Sequence, residues 1–158
     1  MLLICSMINN IYVYAFYRNA WHDGSLHDCL LYSISLVQSV EDKAVLVFVG
    51  DANANQSEWL KSVASTDRHG RDALDFSNLS GSEQLVRYPT HIVGNRLDLV
   101  TTDAPNIIDV FVCTPLGNSD YCFVSCVLRI EQSVPEYNVR STSFSIMVPT
   151  GTVWVVQS

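Results

Sequence analysis

Apolar positions follow two rhythms along this chain. Residues 9–17, "NNIYVYAFY", are β-branched or aromatic over most of their length, which predicts a strand. Ahead of them "MLLICSMI" is a second apolar run, and Asn9 and Asn10 divide the two. A pair of short strands joined at "INN" is therefore expected. The period then changes. Leu26, Leu30, Ile34 and Val37 share one helical face, which predicts a helix over 26–40 capped by Ser25. "SVEDK" reads as a turn. "AVLVFVG" is apolar on both faces, the mark of a central strand in a sheet covered by helices. "DANANQSEW" reads as a loop with a short helical piece near Trp59, and "STDRHG" as another loop. "GRDALDFSNLS" predicts an amphipathic helix with Ala73, Leu74, Phe76 and Leu79 inward and Gly81 at its end. "QLVRY" predicts a strand stopped by Pro89. "RLDLVTT" alternates, with Leu97, Leu99 and Thr101 on one face and Asp98 and Val100 on the other. "NIIDVFVCT" and "YCFVSCVLRI" predict two further strands around the loop "PLGNSD". The tail from residue 131 has no usable period, although "VWVV" is an uncharged, β-prone run. Strand, helix, strand, helix and then strands alone predict an α/β domain with a mixed or antiparallel sheet.

Composition sharpens this picture. The chain has 158 residues, of which 48% are hydrophobic and 16% charged. Charge is sparse against a usual share of about 25%, so more buried or adhesive surface is expected than in most soluble domains. The net charge of −7 argues against a broad nucleic-acid face and leaves room only for local phosphate contacts. Arg18, Arg68, Arg71 and Arg96 are the candidates, with Arg68-His69-Gly70-Arg71 as the basic cluster. The five cysteines are odd in number and lack framework spacing. Cys122 and Cys126, four apart in a strand, would hold their Cα atoms roughly 13 Å apart, beyond disulfide reach. Reduced thiols imply a nuclear or cytosolic protein rather than a secreted one. His22, His27, His69 and His91 are not spaced with cysteines as zinc ligands and read as solvated. The first apolar run lacks a basic flank and is broken by its asparagines, so neither a signal peptide nor a membrane span is expected.

Polar residues interrupt the apolar pattern at three places. Asp51 and Asn53 follow the carboxyl end of the central strand, where open α/β sheets place their sites. Asp98 breaks an apolar strand, and Asp120 immediately precedes the last long one. Each alone is ordinary: a turn former, or, for Asp98, a partner for Arg96. Gathered at one rim, they would suit a divalent cation and a water held against a phosphate.

The motifs "GDAN", "RLDLVTT" and "SDY", in that order, resemble the GD-x-N, R-x-D and S-D-H motifs of the endonuclease/exonuclease/phosphatase superfamily. "YRNAWHD" is similar to its earlier Tyr-containing loop. "VFVGDANA…SEW", "HGR", "PTHI.GNRLDLV.TD" and "TPLGNSD" look closer still to the apurinic-type endonuclease domain of non-LTR (LINE-like) retrotransposons, over about residues 9 to 140. The resemblance implies a partial four-layer α/β sandwich (DNase I-like), with a mixed sheet and flanking helices. Residues 1–132 would form the domain and 133–158 a divergent tail. It also implies Mg²⁺-dependent hydrolysis of DNA phosphodiester bonds. Asp51 would orient or activate the attacking water, and Asn53 would position it and donate to a phosphate oxygen. Asp120, with Asp51, would belong to the metal site. Asp98 would orient the family's histidine, and Tyr17 would donate its phenol to the phosphate.

Two departures qualify that expectation. Tyr121 stands where the family has histidine, and a neutral phenol replaces a group able to carry charge. Asp98 then loses its expected partner. The family's opening strands, with an Asn and a metal-binding Glu, have no counterpart, and Glu41 and Glu58 are poor substitutes. A truncated domain is the expectation, with weak Mg²⁺ binding, impaired or absent activity, and an apolar sheet face available for self-association. An interaction module using that face is the alternative.

Overall fold

The computed structural model describes residues 2–8, 10–19, 26–54, 67–129, 144–147 and 154–157. The expected opening pair forms. β1 (Leu2–Ile8) and β2 (Ile11–Tyr17) pair antiparallel, with Ile8 opposite Ile11. The Asn10 amide donates to the Lys43 carbonyl at 2.8 Å, and the Val45 N–H donates to the Asn10 carbonyl at 2.8 Å. The turn therefore also sets where the next strand starts.

α1 (Leu26–Gln38) buries Leu30, Ile34 and Val37, as their spacing predicts. Its proposed cap Ser25, and the helical piece proposed near Trp59, lie outside the described residues. β3 (Val45–Asp51) pairs parallel to β2. α2 (Arg68–Ser80) starts earlier than its apolar pattern implies. Asp67 caps it by accepting from the Gly70 N–H at 2.6 Å, so half of the expected "STDRHG" loop is helix. Gly81 ends it in the left-handed conformation, φ 65°, as expected. Ala73 and Phe76 are buried, but Leu79 is 69% exposed, contrary to its expected inward position.

β4 (Glu83–Gln84) is far shorter than the strand expected over "QLVRY". The Gln84 side chain satisfies both the N–H and the carbonyl of Val86, at 2.7 and 2.9 Å, in place of a strand neighbour. β5 (Asp98–Thr102) pairs antiparallel with both β3 and β4. The sheet order is β1-β2-β3-β5-β4, mixed because β2 and β3 alone run parallel. A 3₁₀ turn at Pro105–Ile107 takes the first residues of the next expected strand. β6 (Ile108–Pro115) and β7 (Cys122–Leu128) then form a separate antiparallel pair. In the tail, β8 (Phe144–Met147) and β9 (Trp154–Gln157) form a hairpin that periodicity did not signal.

The layers follow from two apolar clusters. On one side of the sheet Tyr14, Phe16, Leu46, Phe48 and Leu99 meet α1 and α2, with Tyr14 stacked on Phe48 and Phe76 edge-on to it. On the other side Ile11, Val13, Val47, Val49 and Val100 meet Ile108, Val124, Cys126 and Leu128. Helices thus cover only one face of β3. The second is covered by β6 and β7, which corrects the expectation of helices on both sides. The arrangement is helices, sheet, then strand pair, with alternate residues of β3 committed to opposite layers. The inner sheet face expected to lie open is therefore closed. On the outer side of the pair Phe111 is 53% exposed, one of several exposed apolar side chains among the described residues. No disulfide joins the cysteines, all five of which are among the described residues. No helix among the described residues is long and apolar enough to cross a membrane.

Gly50 is where this packing is tightest. A Cβ there would lie 1.8 Å from the Phe16 carbonyl oxygen on β2. Gly50→Ala is therefore expected to destabilise the fold by about 3 kcal/mol or more, read as a lower urea midpoint.

Candidate active site

Strand register builds the site. Tyr17 pairs with Asp51 across β2 and β3, and Asp51 pairs with Asp98 across β3 and β5. The three side chains form a row at one end of the sheet. By alternation they share the face of Val13, Val47, Val49 and Val100, so the row sits at the rim of the cleft between the sheet and the β6–β7 pair. The loop entering β7 completes it. Ile92 N–H donates to the Asp120 carbonyl at 2.9 Å, Cys122 N–H donates to the Thr90 carbonyl at 2.8 Å, and His91 bridges Tyr121 between them. Tyr121 is close enough to Asp51, Asp98, Tyr17 and Asp120 for their charges to act on its phenol. Tyr17, Asp51, Asp98, Asp120 and Tyr121 thus lie near one another.

The loop after β3 is held from inside. Asp51 Oδ1 accepts from the Asn53 N–H at 2.8 Å, closing a tight turn. Asn53 has φ 44°, the left-handed region that asparagine tolerates better than most residues. Its side-chain amide donates to the Arg18 carbonyl at 2.8 Å. Arg18 answers with its guanidinium, donating to the carbonyls of Ala52 and Asn53 at 2.6 Å each. At 1% exposure Arg18 cannot be the DNA contact expected from the sequence; it is a clamp on the loop.

With this geometry the molecule resembles known proteins. It superposes on the endonuclease domain of TRAS1, a telomere-specific non-LTR retrotransposon, with a TM-score of 0.58 and 22% identity over 78% of this chain and 58% of that one. It also resembles CdtB, the biologically active subunit of cytolethal distending toxin, with a TM-score of 0.54 and 14% identity over 80% of this chain and 51% of that one. The fold is of the endonuclease/exonuclease/phosphatase type. The chain spans little more than half the length of either structure. No family model matches it, and no curated protein matches it in sequence.

In this DNase I-like frame the acids are strongly perturbed. Burial pushes the Asp51 carboxyl up to about 7, and the neighbouring Asp98 adds to the rise; the Asn53 N–H and Arg18 pull the other way. Burial pushes Asp98 up to about 6, while the Thr90 hydroxyl and His91 draw it down. The second oxygen of Asp98 is buried without a hydrogen-bond partner, so the pairing with Arg96 read from sequence is not made. Arg96 is itself buried, with its Nε unpartnered, whereas Arg68 and Arg71 are exposed at the start of α2. Asp120 is exposed in its loop.

Two further findings depart from the sequence reading. His91, expected to be solvated, is a half-buried member of the site, edge-on to Tyr121 with ring centroids 4.9 Å apart. Asp98 thus has an imidazole nearby after all. Its only sequence signal was position, seven residues before Asp98, which identifies nothing without the fold. Second, among the described residues no group of three His, Cys, Asp or Glu side chains is placed to hold a metal ion. Asp51 and Asp120, the pair expected to hold Mg²⁺, are therefore not joined there by a third such donor.

The raised acids set a pH dependence. Because Asp51 and Asp98 bind protons more tightly folded than unfolded, their effect on stability is most favourable below the ordinary value of 3.8 and is lost as pH rises through about 6 and 7. Asp51→Asn, which keeps an acceptor for the Asn53 N–H, should raise stability by about 2 kcal/mol at about pH 8 and change it little at about pH 4. Urea melts at the two pH values check this.

Proposed function

We propose that the chain is a phosphodiester-cleaving domain acting on DNA, with impaired activity. The observation that carries this reading is the cross-strand row Tyr17–Asp51–Asp98 beneath the Asp120–Tyr121 loop. A base with a pKa near 7 is matched to taking a proton from water at neutral pH. Asp51 would accept that proton as the water oxygen bonds to phosphorus. One ester P–O bond breaks, and the proton leaves with the departing alcohol. Asn53 keeps a second amide hydrogen beyond the one given to Arg18, and that hydrogen and the Tyr17 phenol are neutral donors for phosphate oxygens. Arg68 and Arg71, exposed on α2, suit the DNA backbone. Impairment follows from the incomplete set of metal donors among the described residues and from the neutral Tyr121. Mg²⁺ dependence belongs to this reading, with the ion needing donors beyond those described. A nuclear or cytosolic setting accompanies it, since the cysteines remain thiols.

A second reading, an interaction module or self-associating chain, is favoured by Phe111 on the outer face of β6 and β7. Light scattering separates the two: a discrete oligomer lost in Phe111→Ser supports the module.

The main test is nicking of supercoiled plasmid with added Mg²⁺. Slow nicking is expected, falling by roughly 10²-fold or more in Asp51→Asn. That variant is expected to be the more stable protein, so unfolding would not explain the loss. Nicking indifferent to Asp51, or none, overturns the reading.

A further inference from the structure

A phosphodiester is an anion, and the row at this rim is made of carboxylates. Something must offset that repulsion. Among the described residues, Arg18 acts on Asp51 and His91 acts on Asp98, and each is able to donate hydrogen bonds. Arg18 is buried, with its guanidinium engaged by the Ala52 and Asn53 carbonyls. His91 is half-buried at the cleft.

The position of His91 is well determined. Its backbone bridges Tyr121, and flanking hydrogen bonds from Ile92 to Asp120 and from Cys122 to Thr90 pin the two segments together. The ring stands at 89° to that of Tyr121. The Val93 N–H donates to Nδ1 at 3.2 Å, so Nδ1 is an acceptor and the proton of the neutral ring belongs on Nε2. No described residue accepts from Nε2. The site therefore contains an N–H donor braced by an aromatic edge, beside the acids and without a partner among the described residues.

We propose that His91 donates its Nε2–H to a non-bridging oxygen of the scissile phosphate, with Tyr121 fixing the ring. This rests on the phosphodiesterase reading above. It gives Tyr121 a role as a brace for the imidazole.

The test uses the whole chain with nitrogen-15 histidine, a short DNA duplex for binding and supercoiled plasmid for nicking. His91→Ala should lower the nicking rate by about 10²-fold, the usual effect of losing one transition-state donor. His91→Gln, which keeps a neutral N–H donor at the same position, should retain at least roughly tenfold of what His91→Ala loses, which a role of the ring in packing alone would not allow. Independently of turnover, the duplex should shift the His91 Nε2 signal in the parent protein. An unmoved Nε2 signal, an unchanged rate in His91→Ala, or a His91→Gln variant no faster than His91→Ala overturns the proposal. If nicking depends on Asp51 while the His91 variants behave as the parent, this inference alone fails. If the parent neither binds nor nicks DNA, the underlying phosphodiesterase reading fails and takes this one with it.

Discussion

The structure depends on β3 being buried on both faces in a fixed register. Leu46 and Phe48 face the helices, while Val47 and Val49 face the β6–β7 pair. Sliding the strand by one residue would exchange the two sets and present each layer with the wrong shapes. Full burial of one such side chain contributes roughly 1.5–3 kcal/mol, so a slip would forfeit several such contributions at once. The register against β2 and β5 is thereby locked. Tyr17, Asp51 and Asp98 inherit their alignment from apolar packing deeper in the sheet.

That alignment carries an energetic penalty at the rim. Two carboxyls on neighbouring strands are almost wholly buried, and each resists ionising because water is excluded, with Asp98 adding to the rise at Asp51. The apolar layers offset this cost, and the loop after β3 limits it locally. The Asn53 N–H holds one Asp51 oxygen, and Arg18 ties the loop carbonyls to the end of β2. Arg18 therefore acts twice, as a tether for the turn and as a positive charge beneath the acid. A cation serving the cleft from its floor leaves the open side to other donors, and His91 is placed there.

Much of the architecture was legible from local pattern. The opening strand pair, the buried face of α1, the cap at Gly81 and the alternation of β5 all appear where residue spacing implies. The misreadings share a cause. Leu79 fits the apolar stripe of α2 yet points to solvent, because periodicity cannot say where the sheet beneath a helix ends. β4 looks like a longer strand because the Gln84 side chain, rather than a neighbouring backbone, satisfies Val86. β3 is apolar on both faces whether its second cover is a helix layer or another strand pair. Arg18 and Arg96 look like surface cations because burial of a charge is invisible in its sequence neighbourhood.

By itself the sequence determined the strands and helices, the tight Asp51–Asn53 turn and the presence of acids at strand ends. Those properties arise from neighbours a few residues apart, through backbone preference, side-chain alternation and short-range hydrogen bonding. Only the tertiary structure decided that the acids share one rim, that their proton affinities rise together, and that His91 joins them against Tyr121. These outcomes require the 90–92 segment to pair with 120–122 and three strands to align, and such hydrogen bonds join parts of the chain that no local pattern connects.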